Sequence, residues 1–317
     1  MTRRIVLRVF AMVCLIVTVG CRSDKVSVRQ YKTRYVFILI VDGPRYSETW
    51  GDPSHSNIPF MDSVLSKEGV INTNFHNEGL TYTVSGHTAI ATGFYQAIDN
   101  GGAELPSHPT LFQTWLATTG KSPSLAWLIA SKDKLQMLAN CSDPAWFNNY
   151  VPSTNCGVNG GGQGSGYRED SLTFQALGNI LSQDHPHFLI LNFREPDYSG
   201  HQSNWVNYLK GIKDTDKYVY QLWQFIQSDP FYKDKTTLFV TNDHGRHLDS
   251  VADGFPSHGD NCEGCRHIFL YAYGPDFKKN SITDVPRDLT DIHATTVELL
   301  GIKHASSNGD VMKELFD

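Results

Sequence analysis

Five apolar runs limit what this chain can fold into: "YVFILIV" (35–41), "SLAWLIA" (124–130), "HFLILNF" (187–193), "TTLFVT" (236–241) and "HIFLYAY" (267–273). Each is continuous rather than alternating, as a strand covered on both faces requires. Between them lie segments with helical apolar spacing, at 171–183, 204–227 and 288–302. The alternation predicts an α/β fold, a three-layer sandwich with a mainly parallel central sheet. With no internal repeat or second linker, one domain over residues 34–317 is the simplest organisation.

The N-terminus reads differently. Arg3, Arg4 and Arg8 precede the apolar "VFAMVCLIVTVG", which stops at Cys21. The apolar run is shorter than the ~20 residues of a membrane span, so residues 1–20 are read as a signal peptide. "TVGC" resembles the lipobox of bacterial lipoproteins, with Thr18 where Leu is usual. A lipid anchor on Cys21, followed by a polar tether over 21–33, is the expectation, and plain secretion is the alternative. The folded part is then exported, as a periplasmic or outer-membrane or cell-surface lipoprotein. Removing residues 1–20 takes away three arginines and no acid, so the formal charge moves from −6 to −9. That balance argues against a nucleic-acid polymer as partner. Four cysteines remain in the exported part, Cys141, Cys156, Cys262 and Cys265. In an oxidising compartment they suggest the disulfides Cys141–Cys156 and Cys262–Cys265. A separate zinc site at Cys262 and Cys265 would need two further ligands.

Ligands in open α/β sheets bind beyond the carboxyl ends of strands. Three expected strands end at or beside an acid there: Asp42 in "LIVDGPRY", Asp197 in "EPDYSGH" and Asp243 in "TNDHGRH". His201, His244 and His258 accompany them, giving three carboxylates and three imidazoles, a donor set that suits zinc. The Gly-rich stretch 157–166 lacks the Gly-Lys-Ser/Thr ending of a P-loop and is read as a flexible surface loop. Lys132 and Lys134 follow the second apolar run. In an extended backbone, residues two apart point the same way, so both amines could reach one phosphate.

Taken in order, these motifs resemble the alkaline phosphatase superfamily, in particular its nucleotide pyrophosphatase/phosphodiesterase and Thr-nucleophile alkaline phosphatase branches. Asp42-Gly43 matches the opening Asp-Gly, and "TVSGHTAIATG" matches Thr-x-x-x-His-x5-Gly through Thr83, His87 and Gly93. Asp197 and His201 match an Asp-x-x-x-His pair, Asp243 and His244 an Asp-His-Gly, and His258 a later His-Gly. The resemblance implies two zinc ions. One would be held by Asp42, Asp243, His244 and the Thr83 oxygen, and the other by Asp197, His201 and His258. Thr83 would be the nucleophile, because an alcohol needs a metal to act at neutral pH; Thr81 and Ser85 are its local rivals. Lys132 and Lys134 fall where the family carries Lys-Asp-Arg, and Lys134 lacks the fork of that Arg. Asn100 matches a phosphate-contacting Asn, about four residues closer to the nucleophile than usual. His87, His247 and His267 match no ligand position. The aromatic residues Trp146, Phe147 and Tyr150 are read either as a wall over the leaving group or as part of a stapled surface loop packing on the core.

These readings lead to an exported two-zinc phosphate ester hydrolase acting on a small substrate, most simply a phosphomonoesterase with a phospho-threonine intermediate. The alternatives are a phosphodiesterase or nucleotide pyrophosphatase, and a non-catalytic surface protein that binds an anion or glycan.

Overall fold

A computed structural model describes residues 30–317; the signal peptide and Cys21 lie outside the described residues. All five apolar runs contain strands: β1 (Tyr35–Asp42), β3 (Ala126–Ala130), β5 (Phe188–Pro196), β6 (Thr236–Asn242) and β7 (His267–Tyr273). Four further strands join them: β2 (Val70–His76), β4 (Ser153–Cys156), β8 (Ser281–Thr283) and β9 (Arg287–Asp288). The sheet order is β4-β3-β5-β1-β6-β7-β2-β8, with β9 beside β2. Pairing is parallel except where β7 meets β6 and β2. The expected α/β architecture with a mainly parallel sheet is therefore present.

Period-2 geometry sends alternate residues of β1 to opposite faces. Val36, Ile38 and Ile40 join one core, with Val84 and Ile90 of the helix Thr83–Thr92, Phe112 and Trp115 of Leu111–Thr119, and Ile292 and Leu299 of Leu289–Leu300. Tyr35, Phe37, Leu39 and Val41 join the other, with Leu177 and Leu181 of Asp170–Gln183 and Tyr208, Ile212, Val219 and Ile226 of Trp205–Ser228. Those spacings give Asp170–Gln183 and Trp205–Ser228 one apolar stripe toward the sheet and a polar face toward water, whereas Thr83–Thr92 is buried all round. These are the two helical layers.

The compact unit begins at Tyr31. Thr33 is buried, its hydroxyl within hydrogen-bond distance of Thr237 and donating to Asp276.

The expected disulfides are absent, since all four described cysteines are free thiols. The Cys156 thiol is buried and directed at the Leu128 carbonyl of the adjacent strand. The loop between Cys141 and Cys156 is held by amides instead. Gln113 Nε2 donates to Trp146 O at 2.8 Å and Asn149 O at 3.0 Å, and Asn140 Nδ2 to Asn148 Oδ1 at 2.7 Å.

Register places the site. Asp42 stands opposite Pro196, so Asp197 follows immediately on the neighbouring strand; Val41 stands opposite Asn242, which brings Asp42 level with Asp243. Three carboxylates thus emerge side by side from adjacent strands, at the ordinary inter-strand spacing of about 4.8 Å.

Candidate metal centre and active site

The turn after β1 needs glycine. Gly43 has φ +69°, and a Cβ there would lie 2.9 Å from both the Cβ and Oδ1 of Asp197. Its amide donates to Asp243 Oδ1 at 3.2 Å, fixing that carboxylate against β1. Thr83 opens the helix Thr83–Thr92, all ten of whose residues are buried. The helix reaches the sheet through Gly86, where a Cβ would lie 2.5 Å from the Asp243 carbonyl oxygen. This contact sets Thr83 beside the strand ends, at a helix N-terminus whose partial positive charge favours anions.

Seven side chains selected from the sequence converge in two groups. In the first, Thr83 Oγ1 donates to Asp42 Oδ1 at 3.4 Å, and His244 Nε2 lies 3.5 Å from Asp42 Oδ1 and 3.5 Å from Asp243 Oδ2. In the second, Asp197 Oδ1 lies 3.4 Å from the Nε2 atoms of His201 and His258, which are 3.1 Å apart. The groups adjoin, with the His244 and His258 rings stacked 3.9 Å apart. His244 also lies with its ligand atom within 4.8 Å of those of Asp197 and His258, so it faces both groups.

The donor chemistry fits metal ions. His244 Nδ1 donates to Gly245 O at 2.8 Å and His258 Nδ1 to Thr81 O at 2.7 Å, which leaves each Nε2 as a lone pair facing the acids. His244 Nε2 and Asp243 Oδ2 are buried without a hydrogen-bond partner. Orphaned buried atoms of this kind are costly unless something else satisfies them. Burial lowers the His244 ring to about 3, keeping it neutral as a ligand must be. Burial and the neighbouring Asp243 push Asp42 up to about 7 against the pull of Lys132. For Asp243, burial is outweighed by His244, His87 and Lys132, which hold it at about 2.

Lys132 reaches the same point. Its Nζ lies 2.7 Å from Asp197 Oδ2, 2.9 Å from Asp42 Oδ2 and 3.2 Å from Thr83 Oγ1. Burial opposes its charge, but Asp197, Asp42 and Asp243 raise it above the ordinary lysine range. Lys134 Nζ meets Asn100 Oδ1 at 3.2 Å, and the same oxygen accepts from Val84 N at 3.0 Å, next to Thr83. Both lysines and Asn100 therefore gather at the threonine, but not by the expected extended backbone. β3 ends at Ala130, and Lys134 lies in the 3-10 helix Asp133–Ala139.

Asp133 organises that turn. Its Oδ1 accepts from Lys134 N at 2.8 Å, and its Oδ2 from Gly164 N at 2.9 Å and Gly166 N at 2.8 Å. The Gly-rich stretch is thus docked rather than a free surface loop, with Gln163 N also donating to Gln136 Oε1 at 2.7 Å. It delivers Tyr167, whose ring centroid lies 5.7 Å from Lys132 Nζ. Phe147 and Tyr150, expected as a wall over the leaving group, are exposed.

Among the nucleophile candidates, the Thr81 hydroxyl is taken by Asp260 O at 2.8 Å and the Ser85 hydroxyl is buried without a partner. Only Thr83, among these three, meets both an acid and Lys132. The sequence reading missed three supporting residues. His87 Nδ1 donates to Thr83 O at 2.8 Å and lies 3.2 Å from Asp243 Oδ2, so it braces the threonine's turn against that carboxylate. Asn192 Nδ2 bridges His87 Nε2 at 3.2 Å and Asp42 Oδ2 at 3.3 Å; a lone Asn inside "HFLILNF" was its signal. Arg246 is fully buried and donates to Asp197 Oδ1 and to Pro256 O at 2.6 Å. Its signal was its place two residues after His244.

A search of curated protein sequences finds no match. Solved structures share the fold at low identity. Murine ectonucleotide pyrophosphatase/phosphodiesterase 5 superposes with TM-score 0.63 at 15% identity, over 89% of this chain and 100% of that one. A protein in the alkaline phosphatase superfamily from Vibrio parahaemolyticus gives 0.62 at 18%, over 87% and 68%. A phosphonate monoester hydrolase from Silicibacter pomeroyi gives 0.61 at 14%, over 85% and 73%. The family model of the Metalloenzyme superfamily matches residues 126–304. That span holds Lys132, Lys134 and five of the six side-chain ligand candidates, and the family implies bound metal ions. The chain belongs to the Metalloenzyme superfamily, with the alkaline-phosphatase-like fold of these structures.

Proposed function

We propose that the chain is an exported hydrolase of phosphate esters that uses Thr83 as nucleophile and prefers monoesters. What supports the reading is the meeting, at the ends of β5, β1 and β6, of a helix-terminal hydroxyl, three carboxylates, three imidazoles and two lysines. Asp42, Asp243, His244 and the Thr83 oxygen would hold one zinc, and Asp197, His201 and His258 the other. Bound there, zinc supplies Lewis-acid charge that favours the threonine alkoxide and offsets charge on the phosphoryl oxygens.

The chain's own residues do the rest. The helix N-terminus aims Thr83 Oγ1 at the strand ends, where the Oγ–P bond forms as the ester P–O bond breaks in line. Water then hydrolyses the phospho-threonine and restores the hydroxyl. Lys132 at 3.2 Å from Thr83 Oγ1, and Lys134 held at Asn100, place two cations where a monoester dianion carries its extra charge. Arg246 holds Asp197 in place through Oδ1, the oxygen that also faces His201 and His258. Export and a lipid anchor on Cys21 belong to the same proposal; no helix among the described residues is long and apolar enough to cross a membrane.

The diesterase reading draws on the name of the murine structure, and one experiment separates the two. The full chain, loaded with zinc, is assayed with matched aryl monoester, methyl aryl diester and sulfate ester, and is acid-quenched for peptide mapping. Faster monoester turnover with a phosphoryl group on the Thr83 peptide is expected. A faster diester or sulfate ester, or full activity of Thr83→Ala, overturns the proposal.

A further inference from the structure

A second donor cluster lies outside these groups, on the irregular connection between β6 and β7. Ligand atoms of His247, Asp260, Cys262 and Cys265 all lie within 4.8 Å of one another. The two further ligands that a Cys-type zinc site would need, not evident from the sequence, are thus supplied by the fold. Cys262 precedes the one-turn helix Glu263–Arg266, and Cys265 within it is buried. The Cys262 amide donates to Asp260 Oδ1 at 2.9 Å, turning the carboxylate's other oxygen, Oδ2, to within 3.2 Å of His247 Nε2.

The imidazole carries the independent observation. His247 is 5% exposed, and its Nε2 has no hydrogen bond even with Asp260 Oδ2 at that distance. Its other nitrogen is occupied, lying 3.2 Å from Asp253 Oδ1 and 3.2 Å from Ser257 Oγ. A carboxylate behind Nδ1 fixes the tautomer with the Nε2 lone pair facing the thiols, the arrangement that orients a metal-ligating histidine.

We propose that His247, Asp260, Cys262 and Cys265 form a structural zinc site distinct from the proposed catalytic pair. Two sulfurs, one nitrogen and one carboxylate oxygen complete a four-coordinate set, and the soft thiolates select zinc over magnesium or calcium. The site would clamp the connection that carries His258, which lies between His247 and Asp260 in sequence. It would also tie that connection to the turn after β6 through the Gly245 amide, which donates to Cys265 O at 2.8 Å.

The test uses the full chain purified with a thiol reductant and zinc chloride, and reads metal and thiols rather than activity. Elemental analysis is expected to give one zinc more per chain in the wild type than in the Cys262→Ser/Cys265→Ser variant. Cobalt exchange is expected to give a thiolate-to-cobalt charge-transfer band that the variant lacks. Should the variant fail to fold, the wild type alone decides through alkylation of Cys262 and Cys265. Labelling at least about tenfold faster once a chelator is added supports the site. Labelling at full rate without chelator, labelling only after added reductant, or equal zinc content in wild type and variant overturns it.

Discussion

Lys134 offers a test in which the sign and the size both come from the structure. Burial and the neighbouring Lys132 lower its amine to about 8, and bound zinc ions would push in the same direction. The cationic form therefore dominates below about pH 8 and is lost above it. If that charge contacts the substrate dianion, kcat/KM for an aryl phosphate should fall above about pH 8 with a slope approaching tenfold per unit, since kcat/KM reports ionisations of the free enzyme. The fall ends at the value set by losing the charge altogether. A preorganised cation on a phosphoryl group contributes on the order of 2.7 kcal/mol, so Lys134→Ala should cost about a hundredfold at pH 7. Wild type at pH 10 and Lys134→Ala at pH 7 should then differ little. Lys134→Arg keeps its charge throughout and should stay flat where the wild type declines. The assay is stopped-flow or steady-state hydrolysis from pH 6 to 10, with zinc content checked at each end. A decline of the same shape in Lys134→Ala, or none in the wild type while Lys134→Ala is impaired, refutes the reasoning.

Three further outcomes follow from other contacts. Arg246→Met removes the fully buried cation that orients Asp197 through Oδ1 and is expected to weaken zinc binding about 10- to 100-fold, measured by competition with a chromophoric chelator. Gly86→Ala places a methyl 2.5 Å from the Asp243 carbonyl; pushing the helix off the strand ends should lower kcat by at least about tenfold, with circular dichroism showing the fold retained. Gln113→Ala leaves the Trp146 and Asn149 carbonyls without their donor and should lower stability by about 1–3 kcal/mol in urea unfolding, since no disulfide takes over the same loop.

What the sequence revealed and what it hid have separate physical causes. The runs at 35–41 and 187–193 were legible as strands because burial on both faces leaves little room for polar residues, Asn192 Nδ2 being satisfied by His87 and Asp42. Strand β2, "VINTNFH", carries Asn72, Asn74 and His76, and so shows no such run. The helix Thr83–Thr92 was hidden for the opposite reason: buried all round, it has no polar face and hence no period to detect. Asp42, Asp197 and Asp243 could be placed together because strand ends in a parallel sheet all open at one edge. The lysine turn could not, since it depends on Asp133 capturing amides some 30 residues away. His247 was set aside because it matches no ligand position; its thiol neighbours lie beyond the His258 motif in sequence, and only the folded connection brings them together.

The two halves of the site are secured by different means, and this governs what mutation can change cheaply. The spacing of Asp42, Asp197 and Asp243 is a property of sheet register; a one-residue slip would turn whole strands inside out. Lys134 and Tyr167 instead hang on one carboxylate and a run of glycine amides, a hinge that an insertion or a single exchange can re-aim without disturbing the core. Selection for a new substrate would thus find its variation among the exposed positions of residues 133–167, while the hydrolytic chemistry is inherited unchanged. A library confined to those exposed positions, which spares the core residues Leu135, Leu138 and Cys156, should yield altered preferences at nearly constant melting temperature, whereas one spread over the strand ends should yield mostly unfolded chains.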